Sequence, residues 1–286
     1  MAELTTLPEV VSGDFRLNMP EEEYHSHHAL SASGMKHLLR SPLHYRMQRN
    51  MNHARSEFDV GHAVHALVLG VGMPIVAIPD RMLAINGAAS TKDAKAFIAE
   101  AREKGQVPLK TGVYTQIITA SEAVLRNTKA RDLLERDGYS EVSLFATDPV
   151  TGVHLRGRLD RLAGSSVIDV KSTTDVRERK LQSAIADFGY DVQAEVYRLL
   201  VELVLGIEAD PVYLIFAEKE FPHEVRVVRL GEDWQEGGHR KMRAAIDLFA
   251  WCSERGEWPG DDEDGGPVVD LPAPGYYLAS IERDSA

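Results

Sequence analysis

Two short apolar stretches carry the residues with the most chemistry to offer. Residues 153–162 and 167–171 read as adjacent strands. The turn Asp148-Pro149-Val150-Thr151-Gly152 makes the first of them the second arm of a hairpin that starts with a strand over residues 141–147. Side chains alternate across a strand. His154, Arg156, Arg158 and Asp160 therefore share one face of the first, and Val153, Leu155 and Leu159 share the other. On the second, Val167, Asp169 and Lys171 share one face, and Ile168 and Val170 the other. Each strand thus brings a carboxylate towards its end, and the second adds an ammonium two residues on. Such a cluster is costly to bury unless it is paired or bound to metal. Two carboxylates suit a hard cation, Mg²⁺ or Mn²⁺. Lys171 beside it would orient or activate a water and stabilise phosphate charge. A surface Asp–Lys ion pair on an edge strand has the same local sequence, and Asp-x-Lys alone does not separate the two.

The surrounding helices add candidates. Gln193 and Tyr197 stand four apart on a helix over 190–205, hence on one face. His62 and His65 stand three apart on a helix over 57–69. They lack the glutamate and the spacing of HExxH, which excludes a zinc protease of that type. A single histidine on an apolar helix also fits a core position. Glu141 reads equally as a further acid near the metal and as a solvent-facing strand residue. Ser31-Ala-Ser33-Gly34 is a helix cap rather than a nucleophile elbow, and a helix N-terminus attracts phosphate. Gly70-x-Gly72 is a turn.

The elements that must hold these residues follow from periodicity. Helices are predicted over 31–41, 43–53, 57–69, 91–104 and 112–136. Three strands follow, then the helix over 190–205 with Val192, Val196, Leu199, Leu200 and Leu203 on one stripe. Strands over 211–218 and 224–230 meet through Phe221-Pro222, and a last helix covers 233–254. This order predicts an α/β domain, a central mixed β-sheet flanked by helices. Residues 1–20 read as an acidic N-terminal tail, 21–258 as the domain, and 259–286 as an acidic Pro/Gly-rich C-terminal tail.

Composition narrows the classes. The chain has 286 residues, 44% apolar and 27% charged, which excludes wholesale disorder. Its single cysteine, Cys252, excludes a disulfide framework and a four-cysteine zinc or iron–sulfur site within one chain. No basic and apolar leader is visible at the N-terminus, so a cytoplasmic location is expected. Residues 60–79 carry no Asp, Glu, Lys or Arg, but His62, His65, Gly70, Gly72 and Pro74 favour a buried helix and a strand over a membrane span. The net charge of −12 lies in the ends: −5 over residues 1–30 and −7 over 257–286. The neutral middle contains an acid-free stretch, 31–56, with Lys36, Arg40, Arg46, Arg49 and Arg55. That pattern is a local anion site or a solvated basic face, not a globally basic binder.

Taken in order, Gly61-x-x-x-His65, Gly157-x-x-Asp160, Asp169-Val170-Lys171 and Gln193-x-x-x-Tyr197 resemble the PD-(D/E)XK nuclease superfamily, in its branch with an extra histidine and a Gln-x-x-x-Tyr helix. The strings Leu30-Ser-Ala-Ser-Gly-Met-Lys36, Ser41-Pro42-Leu-His-Tyr45 and Gly157-Arg-Leu-Asp160 are similar to the C-terminal nuclease domain of the exodeoxyribonuclease VIII (RecE-type) family and its phage relatives. The resemblance spans about residues 18–260. Here "PD" is Leu159-Asp160, and Asp169 stands for "(D/E)". The resemblance implies a restriction-endonuclease-like core and a metal-dependent deoxyribonuclease, most simply a 5′ to 3′ exonuclease on double-stranded DNA ends. It implies Mg²⁺, with Mn²⁺ as substitute, held by Asp160, Asp169 and the Val170 carbonyl, with His65 binding the metal or orienting a ligand. Lys171 would position the water, and Gln193 and Tyr197 would support Lys171 or the substrate. Lys36, Arg40, Arg46, Arg49, Arg156 and Arg158 would hold the DNA backbone. A single-strand annealing partner and a homo-oligomer are further implied, and no iron–sulfur cluster. A structure-specific endonuclease and a non-catalytic DNA-end-binding module are the alternatives.

Overall fold

The hairpin at the centre is closed by its turn. Asp148 accepts from the Thr151 amide (2.9 Å) and hydroxyl (2.7 Å), while Arg243 pairs with it at 2.6 Å. In the computed structural model, which describes residues 8–50, 60–260, 270–275, 277, 278 and 281, this hairpin is part of a seven-stranded sheet. The elements run β1 (Asp14–Arg16), α1 (Glu21–Ser26), β2 (Leu30–Ser31), α2 (Ala32–Arg40), α3 (Pro42–Asn50), α4 (Val60–Leu69), β3 (Ile75–Ile78), α5 (Lys92–Glu103) and β4 (Val107–Lys110). They continue α6 (Thr111–Arg126), α7 (Thr128–Leu134), β5 (Tyr139–Thr147), β6 (His154–Ala163), β7 (Ser166–Thr173), α8 (Glu178–Phe188) and α9 (Tyr190–Leu205). β8 (Tyr213–Glu218), β9 (Val225–Arg229) and α10 (Glu232–Arg255) complete the order.

The large sheet has the order β1-β5-β6-β7-β8-β9, with β2 also on β6. It is mixed: β7–β8 and β2–β6 are parallel and the other pairs antiparallel. The parallel step is the one that needs a crossover, and α8 and α9 supply it. β3 and β4 make a separate parallel pair. One face of the main sheet is covered by an apolar cluster that includes Leu38, Leu155, Leu159, Val196, Leu200 and Ile246. The other is covered by a cluster that includes Val64, Val68, Ile117, Leu133, Ile168 and Val170. α9 lies between the sheet and α10, so its whole length is buried except for a thin stripe.

β7 pairs with β6 only at Arg161↔Ile168, Leu162↔Val167 and Ala163↔Ser166, and then leaves it. β2 takes up β6 again at Leu155 and Arg156. β5 occupies the other edge of β6, so the gap between β7 and β2 opens beside Asp160. The alternation also slips there. Val142 and Tyr139 on β5, and Leu159 and Leu162 on β6, are three apart yet join the same apolar cluster. Glu141 sits in the left-handed region, φ 52°, at the slip.

Several expectations need correction. The helix predicted over 112–136 is two helices, because the Asn127 side chain caps Ala130 N (3.1 Å) and ties to Val225 O (3.2 Å). α8 was not predicted, since it buries only Leu181 and Ile185 and its periodic signal is short. Residues 14–16, assigned to a tail, form the edge strand β1 on β5. The side chains of His62 and Arg49, residue Arg55 and the acidic run 261–264 lie outside the described residues. Among the described residues no helix is long and apolar enough to cross a membrane.

Candidate active site

The splay of β6 from β7 draws the ionisable residues together. Asp160 Oδ2 accepts from the Val170 amide at 2.7 Å and pairs with His65 Nε2 at 2.7 Å. The N–H and C=O of an extended residue point the same way, so the Val170 carbonyl is aimed into the same gap. His65 Nδ1 is 3.6 Å from Glu141 Oε1. On the α9 side, Lys171 Nζ pairs with Asp169 Oδ2 at 2.5 Å, and Gln193 Nε2 lies 3.4 Å from Asp169 Oδ1. Gln193 also donates to Tyr197 Oη at 2.6 Å. These residues form two bonded groups, His65 with Asp160 and Glu141, and Lys171 with Asp169, Gln193 and Tyr197, which act on each other by charge. Gln193 reaches Asp169 rather than Lys171, and Tyr197 acts through Gln193.

Glu141 belongs to this cluster. Ser140↔Arg161 and Val142↔Leu159 flank it, so it stands across from Asp160. The turn that pairs Thr147 with His154 already sets this register, which is the signal that would have identified it. Tyr190 was missed altogether: its ring lies 4.7 Å from Lys171 Nζ. It stands at the start of α9 and reaches Lys171 only through the fold.

Lys36 comes into the neighbourhood of Lys171. Its ammonium donates to Phe188 O at 2.7 Å, and burial together with the Lys171 charge lowers its pKa. Arg40 and Arg46 are exposed, the latter 5.9 Å over the Trp258 ring. Arg156 and Arg158, expected to hold the DNA backbone, are placed against α1, with Arg158 Nε also 4.0 Å from Glu141 Oε2. Both guanidinium groups lie over Tyr24, at 4.7 and 4.3 Å, and Arg158 also donates to Ser143 Oγ (3.1 Å) and Met19 O (2.8 Å). They pack α1 against the sheet.

Burial and mutual charge shift the whole cluster. Burial pushes the Asp169 carboxyl up to about 6, and Asp160 adds to this against the pull of Lys171. Burial and Asp160 likewise raise Glu141. Burial alone would lower His65, but Asp160 and Glu141 outweigh it and hold the imidazole at about 9. Burial opposes ionisation of Asp160, yet His65 and Lys171 keep it below the ordinary carboxylate range. One ligand atom from each of His65, Glu141 and Asp160 lies within 4.8 Å of the others. Carboxylate oxygens with one imidazole fit a hard divalent cation, and the residues present therefore suit the metal of this fold.

A pH-dependent metal effect follows. The raised His65 pKa contributes stability that is complete below about 6.5 and is lost as pH rises through about 9. The raised Asp169 pKa contributes in the same sense, falling away from about 3.8 to about 6. A cation held by His65, Glu141 and Asp160 requires the His65 imidazole deprotonated. Mn²⁺ at a hundredfold excess over its Kd should stabilise by about 2.7 kcal/mol, roughly 5–10 °C, and the same Mn²⁺ should shift the melting temperature much less at pH 6 than at pH 8.5. Equal shifts at both pH values, or an unchanged shift in His65→Ala, would count against this ligand set.

Solved structures are similar to this chain. A crystal structure named "Putative exonuclease", from Eubacterium rectale, superimposes with a TM-score of 0.55 at 14% identity, covering 92% of this chain and 97% of its own. A phage related exonuclease from Haemophilus somnus 129PT gives a TM-score of 0.32 at 14% identity over 58% of this chain and 85% of its own. No curated protein sequence matches. The family model described as a PDDEXK-like domain of unknown function (DUF3799) matches residues 31–264, a span that includes α4, the splayed strands β6 and β7, and α9. The acids of Asp160 and Asp169, the ammonium of Lys171 and the Gln193–Tyr197 helix thus stand in a mixed sheet of the PD-(D/E)XK nuclease type, and the chain belongs to this PDDEXK-like family.

Proposed function

We propose that the chain is a divalent-metal-dependent deoxyribonuclease, a 5′ to 3′ exonuclease that degrades double-stranded DNA from its ends in recombination or repair. The observation that carries this reading is the convergence of Asp160, Asp169, Glu141, His65 and Lys171 at the one point where β7 leaves β6. Asp160, Asp169, Glu141, His65 and the Val170 carbonyl would hold the metal, Mg²⁺ with Mn²⁺ as substitute. When bound, that ion polarises the phosphate and lowers the pKa of a water. Lys171 holds its ammonium beside Asp169, where it orients the attacking water and meets charge developing on the phosphate. Gln193, anchored by Tyr197, fixes the Asp169 carboxylate. Lys36, Arg40, Arg46 and Arg49 would carry backbone phosphates, contacts that give affinity without sequence preference. A single-strand annealing protein as partner, a homo-oligomer and a cytoplasmic site of action complete the proposal.

The test is digestion of linear and closed circular duplex with Mg²⁺, the linear substrate labelled at one 5′ end. Linear DNA should lose the label first as a short product while the circle survives. Nicking or linearisation of the circle would favour a structure-specific endonuclease. Binding to ends without cleavage in Mg²⁺ or Mn²⁺ would favour a non-catalytic module. Ca²⁺ should support binding with little cleavage, because its coordination is larger and more flexible.

A further inference from the structure

α8 ends on Phe188 and α9 begins on Tyr190, with Gly189 between them at φ 62°. Phe188 is 56% exposed. α8 is docked by Leu181 and Ile185, so packing does not explain an aromatic at this position. Its surroundings do. The Phe188 ring centroid is 5.7 Å from that of Tyr190, and the Tyr190 ring is 4.7 Å from Lys171 Nζ. The exposed ring is therefore at most about 10 Å from the catalytic ammonium, roughly three steps of stacked DNA at 3.4 Å per base. The junction is also held in place. Lys36 Nζ donates to Phe188 O at 2.7 Å. The Lys36 stem lies 2.7 Å from where a Gly189 Cβ would be, and the left-handed φ of 62° calls for glycine there.

A pinned aromatic face, open to solvent beside a phosphodiester-cleaving site, matches the face of a nucleobase. Stacking of this kind is tolerant of sequence because every base has a π-face. We propose that Phe188 is a stacking platform for the strand being cleaved, seating a base one to three nucleotides from the phosphate at Lys171. This rests on the nuclease reading and adds to it how the strand is registered.

The experiment uses duplex DNA with a short single-stranded end carrying 2-aminopurine one, two or three nucleotides from the scissile position. It is bound in Ca²⁺ to the Asp169→Asn protein, so that no turnover intervenes. Fluorescence should fall at one of these positions, recover in the added Phe188→Ala variant, and stay low in Phe188→Trp. In the otherwise wild-type enzyme, Phe188→Ala should raise KM about tenfold with kcat changed by less than about threefold, and Phe188→Trp should restore KM. A melting curve of Phe188→Ala unchanged from wild type confirms that this exposed position is not structural. Quenching that persists in Phe188→Ala, or an unchanged KM, overturns the platform alone. A wild-type protein that cleaves no DNA in Mg²⁺ or Mn²⁺ overturns the nuclease reading, and the platform with it.

Discussion

Lys171→Ala and Asp169→Asn should each lower the rate of DNA hydrolysis by ~10²-fold or more, the scale of a single preorganised electrostatic group. The two changes act on different parts of one contact. Lys171→Ala removes the ammonium that pairs with Asp169 at 2.5 Å and lies over Tyr190. Asp169→Asn keeps the shape but takes a formal charge out of the cation cage. Neither should unfold the protein. The Asp169 carboxyl is held near 6 by burial and by Asp160, so its ionised form is a burden on the metal-free fold. The neutral amide relieves that repulsion, and the melting temperature of Asp169→Asn without metal should equal or exceed that of the wild type at pH 8. Its Mn²⁺-induced shift should shrink. Near wild-type degradation of linear duplex by Lys171→Ala would show that the catalytic assignment is wrong.

A structural effect that reaches the chemistry is expected at Gly157. A Cβ there would stand 2.7 Å from Leu200 Cδ1 and 3.0 Å from Tyr197 Cδ1. α9 approaches the backbone of β6 this closely because the residue has no side chain. Gly157→Val adds three carbons to a filled core and should cost about 1–3 kcal/mol, with the upper end favoured by the ring of Tyr197 on one side. The damage should reach the chemistry as well. Tyr197 anchors Gln193, and Gln193 reaches Asp169, so kcat should fall even at temperatures where the variant is fully folded. Leu200→Ala in the same chain should return part of the stability by opening space, but less of the activity, since Tyr197 remains displaced. Gly112→Ala is the control: it lies in α6 with nothing within 4 Å of the new Cβ, and should leave both readouts as they are or stabilise slightly. Urea melts and single-turnover rates on linear duplex check the set. A Gly157→Val protein as stable as the Gly112→Ala control would contradict the packing described.

Local patterns settled much of this molecule before its folding is considered. Alternation along 153–162 and 167–171 separated Asp160, Asp169 and Lys171 from their apolar neighbours, and the hairpin turn at 148–152 fixed the register that sets Glu141 across from Asp160. The stripe Val192, Val196, Leu200 marked the buried face of α9, with Gln193 and Tyr197 beside it. These are properties of period and turn chemistry, which neighbouring residues determine among themselves. Three things were decided only by the tertiary structure. β7 leaves β6 after three pairs and takes β8 as its parallel partner, and it is this departure that opens the gap where Asp160, Glu141 and His65 meet. Arg156 and Arg158, basic and correctly alternating, are covered by Tyr24 of α1, a helix more than a hundred residues away. Lys36 and Tyr190 meet the site through the junction of α8 and α9. In each case the deciding partner is distant in sequence. Periodicity says which face of a strand or helix is polar, but which other element arrives to cover that face depends on the packing of the whole sheet.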